Sequence, residues 1–140
     1  MAASPARAES AKKQATIAVV ERALNAWKHE NWAKMYSFLS RRDKEEMPVK
    51  QFIKNCRSLA IVERLKNYRI IGEKPGRGNK ITVSIELTIL NGPQTRFFQS
   101  SGWTPKKVLV KYRLVQNSNH KWKITFEESN GAHCATRKAE

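Results

Sequence analysis

The stretch ITVSIELTI, residues 81–89, alternates apolar and polar side chains without a break. Successive side chains of a β-strand point to opposite faces, so this pattern predicts a strand with one buried and one solvated face. Similar alternations cover residues 108–114 and 122–126, and strand-forming residues cluster within 65–73. Turn sequences separate these stretches, which together predict an antiparallel meander of about four strands.

The first 60 residues follow a helical period instead, with apolar side chains three and four positions apart. Three helices are predicted, beginning after Ser10, after Asn31 and at Pro48, because serine and asparagine are common N-caps and proline suits a first turn. The charged run RRDKEE at 41–46 is predicted to be a connector. The fold class is therefore α+β, with three N-terminal helices packed on a curved, cone-like antiparallel sheet.

One domain is predicted over residues 10–128, between a disordered tail at 1–9 and a polar tail at 129–140. The chain has 140 residues, 40% of them hydrophobic, which is enough for one core. The predicted core comprises Trp27, Trp32, Tyr36, Phe52, Ile85, Val110, Tyr112 and Trp122. No apolar run is long enough to predict a membrane span. The expectation is a soluble domain, either cytoplasmic or the extracytoplasmic part of an exported protein.

Residues 23–40, ALNAWKHENWAKMYSFLS, join an Ala-x-x-x-Trp spacing to a Met-Tyr-x-x-Leu-Ser segment. A helix near Pro48 and a last strand containing Trp122-Lys123-Ile124 follow. In this order the chain resembles the nuclear-transport-factor-like superfamily, the cone-shaped cystatin-like fold, over residues 12–127. It looks most similar to bacterial domains found beside penicillin-binding transpeptidases and in small lipoproteins. The resemblance implies a non-catalytic accessory domain of an envelope or secretion-associated system, although the superfamily also contains steroid isomerases, dehydratases and epoxide hydrolases.

The chain is strongly basic, with 27 Lys and Arg against 12 Asp and Glu and a formal charge of +15. The excess is spread along the sequence, because residues 1–60 hold 12 basic and 6 acidic side chains and residues 61–140 hold 15 and 6. Such a charge attracts nucleic acid, an anionic membrane surface or an acidic protein. Composition alone leaves these partners open, together with the simpler explanation that the charge serves solubility.

The segment 91–106, NGPQTRFFQSSGWTPK, is the first candidate binding site. It is long for a hairpin connection and interleaves aromatic side chains with cations, which suits base stacking or insertion at an anionic interface. Alternatively, the aromatic side chains plug the open end of the cone, or residues 95–99 extend a strand. The candidate binding residues in this segment are Arg96, Phe97, Phe98 and Trp103.

The solvated face of the last two strands is the second candidate site. Its cations alternate with core residues and are predicted to form one basic patch comprising Lys107, Lys111, Arg113, Lys121 and Lys123. Glu86 is predicted to lie on the same face, with Lys111 or Arg113 as its cross-strand partner. This face could also support a homodimer through the sheet.

Catalytic chemistry is not predicted. The core-facing positions of 81–89 and 122–126 carry no acid or base, and His29, His120 and His133 fall in separate elements. No zinc-type ligand spacing occurs, so no metal and no cofactor are expected. Cys56 lies on the apolar stripe of the third helix and is predicted to be a core thiol, with Cys134 also unbridged.

The sequence therefore predicts a non-catalytic binding module that engages a protein partner or an anionic surface through the basic sheet face and the 91–106 loop. A nucleic-acid-binding module is the first alternative. A small-molecule-binding or enzymatic cone of the same superfamily is the second.

Overall fold

The computed structural model describes residues 5–61, 63–92 and 104–130, with side chains over residues 13–61, 63–92 and 104–125. Four strands form one antiparallel sheet in the order β1-β2-β3-β4, and the helices cover one of its faces. The predicted α+β class with a curved meander is confirmed. The elements are α1 Pro5–Lys28, α2 Trp32–Ser37, α3 Arg41–Glu46, α4 Val49–Ala60, β1 Glu63–Pro75, β2 Lys80–Asn91, β3 Thr104–Gln116 and β4 Trp122–Asn130.

The charged run at 41–46 is a helix, so the described part of the chain has four helices and not the predicted three. Ser40 caps it, since its hydroxyl oxygen accepts a hydrogen bond from the Asp43 backbone N–H at 3.3 Å. Arg41 and Glu45 form an i,i+4 ion pair at 3.1 Å. The run carries no apolar stripe, and a search for helical periodicity therefore misses it.

Two element boundaries differ from the predicted ones. α1 begins at Pro5, so residues 5–9 are helical where a disordered tail was predicted, and Ser10 does not cap the helix. Proline fits the first turn of a helix because the N–H that it lacks has no partner there. At the other end, β4 runs to Asn130 and takes in the first two residues of the predicted polar tail. Residues 131–140 lie outside the described residues.

β1 is an irregular edge strand. Its pairing with β2 shifts register between Leu65 and Asn67 and again between Ile70 and Gly72. Each shift reverses the alternation of side chains between the two faces, because neighbouring positions exchange sides when a residue is inserted. The two shifts explain why the sequence of this strand shows a mixed pattern.

The core lies between the helices and the inner face of the sheet. Seven of the eight predicted core residues are buried, with relative exposures from 0% to 7%, and Tyr36 is half-buried against this cluster. Cys56 is fully buried in α4, as predicted, while Cys134 lies outside the described residues. Leu39 bridges to Ile124, so the segment between α2 and α3 runs along the free edge of β4.

Candidate functional site

The outer face of β3 carries the three predicted cations of that strand. Lys107, Lys111 and Arg113 are exposed, while Val110, Tyr112 and Leu114 point into the core. We call this row, with the intervening Leu109, the outer strip. The register of the sheet places each cation directly opposite a hydroxyl of β2: Lys107 opposite Thr88, Lys111 opposite Ser84, and Arg113 opposite Thr82.

Glu86 is the only carboxylate on the outer face among the described side chains of the sheet. Its carboxylate lies 3.4 Å from the Arg69 guanidinium and 3.9 Å from the Lys107 ammonium. The predicted partners Lys111 and Arg113 were wrong, because the residue directly opposite Glu86 is Leu109. Leu109 is 68% exposed, so the centre of the outer strip presents an apolar side chain to solvent.

Lys123 lies on β4, beside the Arg113 end of the outer strip. It shares the outer face of the sheet, opposite Val115, but its ammonium donates a hydrogen bond to the Ser37 carbonyl oxygen at 2.9 Å. Burial lowers the pKa of Lys123, and the charges of Lys44 and Lys121 lower it further. Lys121 is exposed beside the hairpin turn. Lys107, Lys111 and Arg113 thus form a row on β3, and Lys123 follows on the neighbouring strand.

A recess of about 580 Å³ opens beside Lys123, between α3 and the β3–β4 hairpin. We call it the basic recess. Sequence reasoning missed it, because four of its five cations lie outside the last two strands. The charged run at 41–46 was the available signal. The cations that line it are Arg41, Arg42, Lys44, Lys80 and Lys123.

The segment 91–106 is partly strand. Asn91 ends β2 and residues 104–106 begin β3, with Asn91 paired to Thr104, so the connection is shorter than predicted. The candidate residues Arg96, Phe97, Phe98 and Trp103 lie outside the described residues.

The inner face of the sheet is mostly apolar, and side chains such as Val83, Ile85 and Leu87 are fully buried. The Tyr112 hydroxyl is also buried there. Two carboxylates of β1 point inward, where none was predicted. Glu63 stands opposite Asn91 and Glu73 opposite Val83, and one buried carboxylate oxygen of each has no hydrogen-bond partner among the described residues.

These two glutamates cannot act together. They are ten residues apart on one extended strand, which separates them by about 30 Å at the usual rise per residue. Their inward orientation is not evident in the sequence, because the two register shifts of β1 hide the alternation. Within residues 5–61, 63–92 and 104–130, no group of three His, Cys, Asp or Glu side chains is arranged to hold a metal ion. None of the described helices has the length and apolarity needed to cross a membrane.

The chain matches no protein-family model and no curated protein by sequence. Solved structures do match it. A ketosteroid isomerase-like protein from Erwinia carotovora atroseptica superposes with a TM-score of 0.62 at 12% identity, covering 81% of this chain and 91% of its own. A proposed polyketide cyclase from Xanthomonas campestris pv. campestris gives a TM-score of 0.54 at 10% identity, covering 81% and 90%.

These neighbours have the nuclear-transport-factor-like cone, so the resemblance drawn from the sequence is confirmed at the level of the fold. The fold is compatible with small-molecule binding. The closer similarity to domains of penicillin-binding transpeptidases and lipoproteins stays a prediction.

Proposed function

We propose that this domain is a non-catalytic binding module whose outer strip engages an acidic protein surface. The observation that carries the proposal is the row of exposed cations on β3, which stands on the outer sheet face with Glu86 as its one described carboxylate. An acidic partner would supply negative charges to complement the described cations of this face.

The described side chains compensate the charges of two lysines of the outer strip poorly. Lys111 has no carboxylate within salt-bridge distance among the described side chains, and the Lys107–Glu86 contact is long at 3.9 Å. A field of one sign steers a complementary partner to the surface and rejects partners of like charge. The hydroxyls of β2 opposite these cations add hydrogen-bonding groups between the charges.

Leu109 favours a protein partner over nucleic acid. Protein interfaces bury an apolar centre within a polar rim, and Leu109 stands exposed between Lys107 and Lys111. Phosphate backbones are recognised mainly by their charge and offer little apolar surface to cover such a side chain. The same charge argues against a homodimer through the sheet, because two copies would place like-charged strips face to face.

The segment 91–106 belongs to the same proposal. The segment precedes Lys107 in the sequence, so we include Arg96, Phe97, Phe98 and Trp103 in the proposed contact. The resemblance to domains of envelope proteins makes an envelope or secretion-associated protein the first partner to search for.

We also propose that the domain is not catalytic, and the argument comes from the side chains on the inner face of the sheet. Its described side chains on β2, from Ile81 to Ile89, are apolar and buried. The inward carboxylates of β1 lie at opposite ends of the strand, so no acid–base pair forms between them.

Poly-L-glutamate, used as a surrogate for an acidic protein surface, tests the outer strip. We expect the Lys107→Glu/Lys111→Glu variant to bind it much more weakly than the unmodified protein, with the largest difference at low salt. A matched control is Lys50→Glu/Lys54→Glu, which makes the same change in net charge on exposed positions of α4 in the helical layer. Equal weakening by both variants would contradict the proposal, because binding would then depend only on the net charge of the protein.

Two further measurements distinguish a protein partner from a nucleic acid. Leu109→Ser should weaken capture of a natural acidic partner but leave binding of a single-stranded oligonucleotide unchanged. If the oligonucleotide binds more tightly than poly-L-glutamate at equal charge, and with a steep salt dependence, the nucleic-acid module replaces our proposal.

A small-molecule-binding cone is the second candidate function. It is favoured by the fold shared with the isomerase-like protein and by the buried Tyr112 hydroxyl on the inner face. A fluorine NMR screen of apolar fragments, followed by amide shift mapping, tests it. Shifts confined to inner-face residues such as Ile85 and Tyr112 would support this candidate, and shifts confined to surface residues would exclude it.

A further inference from the structure

We infer that the basic recess binds the phosphate group of a small organic anion. The recess lies at the hairpin end of the sheet and is a different site from the outer strip. This inference goes beyond the proposed function, since it concerns a soluble ligand and not a protein surface. It rests on the convergence of cations that belong to α3, β2 and β4.

Two ammonium groups meet at one carbonyl oxygen in the recess. Lys123 Nζ lies 2.9 Å from the Ser37 carbonyl oxygen, and Lys44 Nζ lies 3.4 Å from the same atom. The two nitrogens are therefore at most about 6 Å apart, a separation at which like charges repel appreciably unless an anion lies between them. No carboxylate comes within salt-bridge distance of either lysine among the described side chains.

Lys80 brings a third ammonium to the same side of the sheet. It stands opposite Val115 on β3, which in turn stands opposite Lys123 on β4. Neighbouring strands are about 4.8 Å apart, so the backbones of Lys80 and Lys123 are about 10 Å apart across the Val115 side chain. An anion over Val115 would lie within reach of both flexible side chains.

None of the twelve described residues that line the recess is acidic. Arg41 and Arg42 are paired with Glu45 and Glu46 on α3, but both pairs are exposed, so these ion pairs are weak in water. Burial lowers the pKa of Lys123, and the neighbouring cations lower it further, because both oppose its protonated form.

Phosphate is the anion class that this arrangement fits. It carries up to two charges and several acceptor oxygens, so one group can accept hydrogen bonds from several converging ammonium groups at once. The recess, at about 580 Å³, has the size of a small-molecule site and leaves room for an organic moiety beside the phosphate. The hairpin residues Asn117, Ser118 and Asn119 line the opposite side and offer polar contacts to that moiety.

Calorimetric titration with inorganic pyrophosphate at 0.15 M ionic strength tests the inference. The Lys44→Met/Lys123→Met variant keeps the aliphatic stems and removes two donors, so we expect affinity to fall by more than about tenfold. The matched control, Lys107→Met/Lys111→Met, removes the same charge from the outer strip and should change affinity less than about twofold. An equal loss in both variants would overturn the inference and leave the proposed function untouched.

Amide chemical shifts of the unmodified protein give a test that does not depend on any variant folding. Pyrophosphate should shift Ser40, Asn119 and Thr125, which line the recess, while acetate at matched ionic strength should not. Shifts centred instead on Leu109 and Lys111 would contradict the assignment. Binding to phosphatidic acid vesicles without any binding to pyrophosphate would also overturn it, because the source would then be a lipid surface.

Discussion

The Tyr36 hydroxyl donates a hydrogen bond to the Met47 carbonyl oxygen at 2.7 Å and so ties α2 to the residue that follows α3. A second contact joins the same hydroxyl to the Lys44 carbonyl oxygen at 3.1 Å. The Tyr36 ring packs on Phe52 of α4, with ring centroids 5.3 Å apart. One half-buried side chain thus connects α2, α3 and α4.

Replacing this hydroxyl should weaken the fold. Tyr36→Phe keeps the ring but removes the donor, and we expect the free energy of unfolding to fall by about 1 kcal/mol. Urea denaturation measures this change. Tyr68→Phe is the matched control, because its hydroxyl donates to Asn25 at an exposed site and should matter less. If the free energy of unfolding falls equally in the two variants, the Tyr36 hydrogen bonds contribute no special stability.

The contribution of Tyr36 should also depend on pH. Burial raises its pKa above the ordinary value of 10.0, so the phenol ionises first in the unfolded chain. Its stabilising contribution is full below pH 10 and is lost as pH rises from there through the folded-state value. The difference in stability between the unmodified protein and Tyr36→Phe should therefore shrink above pH 10. A constant difference up to pH 11 would contradict the assignment.

Ser40 should be needed for α3. Its hydroxyl oxygen accepts from the Asp43 N–H, and loss of such a cap costs about 1 kcal/mol. Thermal unfolding of Ser40→Ala should show this loss. Ser58→Ala, which removes an exposed hydroxyl from inside α4, should change stability by less than half as much. Similar melting of the two variants would mean that α3 does not depend on its cap.

Trp122 should be among the costliest core residues to truncate. It is 7% exposed at the start of β4 and belongs to the main core cluster. We expect Trp122→Ala to lower the free energy of unfolding by about 3–5 kcal/mol, as for other buried aromatic side chains. Leu109→Ala provides the comparison, because that leucine is exposed. An unchanged melting temperature for Trp122→Ala would refute the assignment of this residue to the core.

Glu86 should restrain binding at the outer strip. Glu86→Gln removes the one described carboxylate of the outer face, so we expect affinity for poly-L-glutamate to rise about two- to fivefold at low salt, the scale of one exposed ion pair. The gain should vanish at high salt. Glu21→Gln, on the exposed side of α1, makes the same change in net charge and should have little effect. Equal gains from both variants would show that the position of the charge is irrelevant.

The sequence predicted β2 well and β1 poorly, for a single physical reason. β2 is regular along its whole length, so each apolar residue from Ile81 to Ile89 falls on the buried face and the alternation is visible. β1 has two register shifts, so its alternation is lost along the strand, and the inward positions of Glu63 and Glu73 cannot be read from one pattern. A pattern of period two can be recognised only where the pairing keeps its register.

The basic recess could not be predicted, because long-range backbone contacts create it. The Ser40 N–H donates to the Ile124 carbonyl oxygen, and the Ile124 N–H donates to the Phe38 carbonyl oxygen. These two bonds fix the position of α3 beside β4 and bring Lys44 close to Lys123. The charged residues were evident in the sequence, but their meeting depends on a pairing between segments distant along the chain.

The register shifts of β1 also affect how readily copies of this chain aggregate. An outermost strand leaves a row of amide and carbonyl groups without a strand partner, and another chain can attach to such a row. Here the row is broken between Leu65 and Asn67 and again between Ile70 and Gly72, and Pro75 at its end has no N–H to offer. An incoming strand would pair in register with only a few residues of β1. The irregular edge therefore opposes fibril formation through β1 when the protein is concentrated.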